Sequence, residues 1–118
     1  MRLETHASNW EAADGAIRTN TVDLDVDRVL RAITVASDTS NSGPAPAEIY
    51  LLERKSEKLA LMLEHGVIWN GDVDGQLTWY GELGPYKAAT NSVRIAVQNF
   101  SGATINVYQV FAYEAGGP

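Results

Sequence analysis

From residue 21 onward the chain repeats with a period of two, and that period fixes the fold class. Thr21-Val22-Asp23-Leu24-Asp25-Val26-Asp27 alternates apolar and acidic residues along its whole length. Residues 91–99 place Val93, Ile95 and Val97 on one parity, with Arg94, Ala96 and Gln98 on the other. Alternation sends one set of side chains to each face of an extended strand; an amphipathic helix needs apolar residues three and four apart. Residues 28–37 continue with β-branched Val29, Ile33 and Val35, which suit a pleated surface. Residues 48–53 and 76–83 read the same way, and 76–83 puts Leu77, Trp79 and Leu83 opposite Thr78, Tyr80 and Glu82.

Some segments are less regular. Residues 57–64 contain good helix formers, but Leu59, Leu61 and Leu63 alternate and the space between Ser56 and Gly66 is too short for a helix. They are expected to form a strand, with 67–69 a further short strand after a turn at Gly66. In residues 104–113, Ile105 and Val107 share one parity while Tyr108, Val110 and Ala112 share the other. That predicts a bulge or burial on both faces. Turn residues punctuate these runs: the proline-containing stretch 38–46, Asn70-Gly71, Gly84-Pro85 and Ser101-Gly102. About eight strands result, with no room for the crossover helices of a parallel sheet. The expectation is an all-β, antiparallel β-sandwich over residues 21–114, jelly-roll-like in its strand number. Residues 1–20 lack the alternation and are expected to be an N-terminal arm with at most one short strand. Residues 115–118 are expected to be a frayed tail.

Charge and composition narrow the partners. The 118 residues include no cysteine, which removes disulfides and thiolate metal sites and fits assembly in a reducing cytosol. Acidic residues outnumber basic ones 15 to 9, for a formal net charge of −6. The basic residues are scattered, so nucleic acid is not an expected partner. No apolar run approaches the ~18–20 residues that span a bilayer, and the first nine residues lack the apolar core of a signal peptide. A membrane partner is likewise not expected.

Catalysis finds little support. His6 and His65 are the histidines, no serine sits in a Gly-x-Ser-x-Gly elbow, and no His-x-His pair marks a metal-dependent barrel enzyme. No catalytic residue and no cofactor are assigned. Asn70, Asp72 and Asp74, followed by Gly75, match the first half of a calcium loop, where several hard oxygens wrap one cation. The match fails at its end, since the twelfth position is Gly81 and Glu82 falls one residue late. An acidic hairpin turn is the preferred reading and calcium the minor one. Asp23, Asp25 and Asp27 fall on one strand face at about 7 Å intervals, too far apart for one cation; they are better explained as a repulsive face that guards a strand edge.

The aromatic residues point to binding. Trp79 and Tyr80 are neighbours in a strand and must face opposite ways. With Trp79 inside beside Leu77 and Leu83, Tyr80 is outside. Trp10, in a polar stretch with Leu3 and Ile17, is expected to dock onto this domain or a neighbour. Leu3, Trp10, Ile17 and Tyr80 are therefore the candidate partner-binding residues.

The stretches Arg28-Val29-Leu30-Arg31-Ala32-Ile33-Thr34-Val35 and Leu77-Thr78-Trp79-Tyr80-Gly81-Glu82-Leu83, with the closing runs Ser92-Val93-Arg94-Ile95-Ala96-Val97 and Thr104-Ile105-Asn106-Val107-Tyr108-Gln109-Val110, resemble the small β-sandwich accessory proteins of tailed-phage virions. The likeness is greatest to capsid decoration, or cement, proteins, and covers roughly residues 21–114 as a style of strand and turn. It implies a virion protein, made in the host cytoplasm, whose partner is the major capsid protein or another virion protein. It also implies a homo-oligomer, a trimer for preference, and a contact role for residues 1–20 with Trp10 as anchor. The alternatives are a carbohydrate-binding or lectin-like module, which makes a glycan a further expected partner, or a tail, baseplate or fibre component.

Overall fold

The computed structural model describes residues 2–24, 28–37, 45–53, 56–68, 75–84 and 91–114, with the side chains of 53 and 56–60 excepted. It is all-β. The strands are β1 (Leu3–Ala12), β2 (Ala16–Asp23), β3 (Leu30–Ser37), β4 (Ala45–Glu53), β5 (Ser56–Ile68), β6 (Leu77–Leu83), β7 (Asn91–Asn99) and β8 (Ile105–Glu114). They form two four-stranded antiparallel sheets, β1-β8-β3-β6 (sheet A) and β2-β7-β4-β5 (sheet B). Successive strands thus alternate between the sheets through β4, and again from β5 to β8. This is the strand order of a jelly roll.

The alternation of the sequence becomes the core. Val93, Ile95 and Val97 of β7 face Ile33 and Val35 of β3 and Ile105, Val107 and Phe111 of β8 across the sandwich, all buried. Leu77 is buried and Trp79 packs against the same core, while Tyr80 is 79% exposed.

Residues 1–20 are not an arm. Leu3–Ala12 pairs along its whole length with β8, and Ala16–Asp23 with β7. Each is the edge strand of its sheet. An edge strand is held by one ladder of backbone bonds and can keep polar side chains on both faces, so it shows little alternation. The segment read as two strands around Gly66 is one strand, β5. Gly66 serves packing there, since a Cβ would lie 2.9 Å from Leu77 Cδ1. β4 begins at Ala45, inside the expected loop. Pro46 pairs only with β5, beyond the end of the β7 ladder, where its missing N–H leaves no β7 carbonyl unserved.

β8 runs without a shift against β1. The apparent change of parity in the sequence arises because the inward slot between Val107 and Phe111 is filled by Gln109, which is 2% exposed. A bulge lies instead in β3, between Leu30 and Ala32. It turns Arg31 outward to meet Glu82 at 3.5 Å and Glu114 at 3.1 Å.

One corner is tied by a fully buried side chain. Asn99 Nδ2 donates to the carbonyls of Ala12 (2.7 Å) and Ala103 (2.8 Å). Its Oδ1 accepts from the Ser101 amide (3.1 Å) and hydroxyl (2.7 Å). The Gly15 amide donates to the Asn99 carbonyl, and the Gly102 amide to Asp14. The β1–β2 turn is thereby fastened to the β7–β8 turn.

Candidate functional site

Two surfaces could meet a partner, and both are built by β1 and β8. The first is the outer face of sheet A. The registers set out its rows: Thr5, Ala112, Ala32 and Tyr80; then Ala7, Val110, Thr34 and Thr78; then Asn9, Tyr108 and Ala36. No member of these rows carries a charge. Alanines and threonines leave the centre flat, and Tyr80 stands over one side. Leu3, 47% exposed, lines a shallow depression there with Arg31, Ala32, Tyr80, Gly81 and Glu82. The charges of Arg31, Glu82 and Glu114 are gathered at that end of the face.

The outer face of sheet B differs. Asp23, Arg94, Glu48 and His65 lie across its rows. The Tyr50 hydroxyl donates to the Glu48 carboxylate, and this bond, with a smaller effect of burial, raises the Tyr50 pKa above its ordinary value.

The second surface is a cleft where the sheets part at their β1 and β2 edges. Its lining residues include His6, Ser8, Val22, Gln109, Phe111 and Tyr113, and its volume is about 270 Å³. Ser8 lies opposite Gln109 in the ladder and His6 opposite Phe111, so β1 turns polar residues inward where a core strand would turn apolar ones. Gln109 Oε1 accepts from Trp10 Nε1 at 2.9 Å and from Asn20 Nδ2 at 3.0 Å, and the Asn20 bond crosses from one sheet to the other. His6 meets Tyr113 edge-on, with ring centroids 5.5 Å apart.

The structure brings together two of the sequence-derived partner residues, Leu3 and Tyr80, on the outer face of sheet A. It separates the others. Trp10 is half-buried and turned inward, bonded to Gln109. Ile17 is 57% exposed but sits opposite Gln98 on the outer face of sheet B. Asn70, Asp72 and Asp74 lie outside the described residues, as do Asp25 and Asp27. Among the described residues no group of three or more His, Cys, Asp or Glu side chains could hold a metal ion, and no helix is long and apolar enough to cross a membrane. His6 and His65 are both exposed, on different sheets. Gln109 was not anticipated. Its signal was present as the one polar residue in the inward series Ile105, Val107, Gln109, Phe111, Tyr113.

No family model matches the sequence, and no curated protein matches it. Among solved structures, the infectious bursal disease virus VP2 subviral particle shows a weak likeness, with a TM-score of 0.35 and 12% identity. The match covers 95% of this chain and 41% of that one, so the chain spans about two fifths of the viral capsid protein's length. A likeness of that size carries no functional weight.

Proposed function

We propose that this protein is a structural virion component of the capsid decoration type, which binds an assembled protein shell through the outer face of sheet A and does so as a homo-oligomer. The observation that carries the reading is the uncharged centre of that face. Sheet B, built from the same chain, spreads charges across its outer face, so the composition of the protein does not force the difference. Small side chains let a partner's backbone approach, and an exposed tyrosine supplies a large, rigid contact.

The dimensions suit the role. Four strands at about 4.8 Å spacing, each about eight residues long at ~3.4 Å per residue, make a face of roughly 500 Å². Two such faces bury about 1,000 Å², the lower limit of a specific interface. A modest contact of this kind becomes strong by repetition over many copies, and whatever binds only the assembled shell stabilises it by mass action. The virion setting is supported by the resemblance of the strand-and-turn stretches to decoration proteins.

The test is add-back to shells purified without the protein. Wild-type protein is expected to co-sediment with the shells and raise their melting temperature. A Tyr80→Lys variant is expected to lose at least about tenfold in occupancy, the effect of removing one interface anchor. Equal binding by the variant, or no binding by the wild type, contradicts the proposal.

A further inference from the structure

We infer that the cleft between the sheets is a binding site for one neutral sugar ring, adjoining the docking face at Ala7 and independent of the virion role. The reasoning starts at Gln109. An indole N–H can only donate, so the bond from Trp10 fixes the oxygen of the Gln109 amide on the Trp10 side. Asn20 donates to the same oxygen. The amide nitrogen is left with two hydrogens and no acceptor among the described residues, in a side chain 2% exposed. Buried donors in native proteins find partners, and an unpaired one beside a cavity points to what the cavity holds.

The rest of the lining defines the ligand. Ser8 and His6 add hydrogen-bonding groups on the same wall as Gln109. Val22, Phe111 and Tyr113 supply the apolar and aromatic surface. Among the described residues no lysine, arginine or carboxylate lines the cavity, and the chain as a whole is negative. An anion is therefore disfavoured, and a donating amide disfavours a cation. A neutral molecule with acceptor oxygens on its rim and a C–H face fits both walls, and that description is a pyranose. At about 270 Å³ the space falls just short of the ~300 Å³ where pockets for drug-sized ligands begin, so it takes one ring and not a chain. The edge position of β1 and β2 leaves the ring's exocyclic positions open to solvent, as a terminal residue of a glycan requires.

The experiment is a titration of the full-length ¹⁵N-labelled protein with the methyl glycosides of glucose, mannose, galactose and N-acetylglucosamine. The Gln109 side-chain amide and the Trp10 indole resonances are identified by their loss in Gln109→Leu and Trp10→Phe. At least one glycoside is expected to move both resonances saturably, with millimolar affinity. Ser8→Ala, at an exposed edge position where folding is not at stake, is expected to weaken binding about three- to tenfold, the worth of one hydrogen bond. Gln109→Leu is expected to abolish it. No response to any glycoside overturns the inference. So does a response confined to exposed aromatic residues such as Tyr80 while the Gln109 amide stays still.

Discussion

Replacing Asn99 by alanine is expected to loosen the corner that joins the β1–β2 turn to the β7–β8 turn. The side chain makes four hydrogen bonds and is 0% exposed. Not all four groups suffer equally. Ser101 Oγ and the Ala103 carbonyl still have each other at 3.1 Å. The Ala12 carbonyl and the Ser101 amide lose a partner inside the protein. Each orphaned buried group costs about 1–3 kcal/mol, so the loss centres on about 4 kcal/mol. For a domain of this size that is roughly 15 °C in melting temperature. Thermal and urea unfolding followed by circular dichroism measure it. Ser101→Ala is the control, keeping the amide bond and losing only hydroxyl contacts, for about 1 kcal/mol. Asn99→Asp sharpens the test, because an ionised carboxylate would face two carbonyl oxygens. Its neutral form is favoured in the fold, so the carboxyl pKa rises on folding. The penalty should therefore be small below the unfolded carboxyl pKa and grow as pH rises through it. A loss below about 1 kcal/mol in Asn99→Ala refutes the view that this side chain fastens the corner.

Two glycine substitutions should separate by their neighbours. A Cβ on Gly81 would lie 2.2 Å from Trp79 Cζ2, so Gly81→Ala must displace the indole; a red-shifted fluorescence and a loss of about 1–3 kcal/mol are expected in equilibrium unfolding. Gly66→Ala meets only the end of the Leu77 side chain and should cost under about 1 kcal/mol. The hydrogen bond from Tyr50 to Glu48 chiefly raises the Tyr50 pKa, with burial adding to it. Spectrophotometric titration should therefore place the Tyr50 ionisation above the ordinary tyrosine value, and Glu48→Gln should bring it back down. The stability linked to Tyr50 is full below the unfolded tyrosine pKa and is lost as pH rises through the raised one.

The sandwich was legible where one face of a strand meets the core and the other meets water. Residues 91–99 are such a strand, and Val93, Ile95 and Val97 are all buried. The opposed Trp79 and Tyr80 followed from the same rule. β1 was hidden because its inward positions hold Glu4, which pairs with Arg28, and His6 and Ser8, which line a cleft and not the core, and its place is set by backbone pairing with β8. Gly66 read as a turn because glycine frees the backbone, whereas here it lies inside a strand with the end of the Leu77 side chain close against it. The expected and observed strand numbers agree by compensation: two edge strands were missed as an arm, while one was split at Gly66 and another drawn from residues 21–27, which only partly overlap β2. The uncharged face could not be read from sequence, because it is assembled from β1, β8, β3 and β6 in an order that only the topology reveals.

Oxidative footprinting of the protein free and bound to shells tests most directly whether the outer face of sheet A is the docking surface. Tyr80, 79% exposed in the free chain, should become strongly protected on the shell, while Phe100 and Met62, at 64% and 43%, should react as before. Unchanged reactivity of Tyr80 in the bound protein, with protection moved to sheet B, contradicts the account.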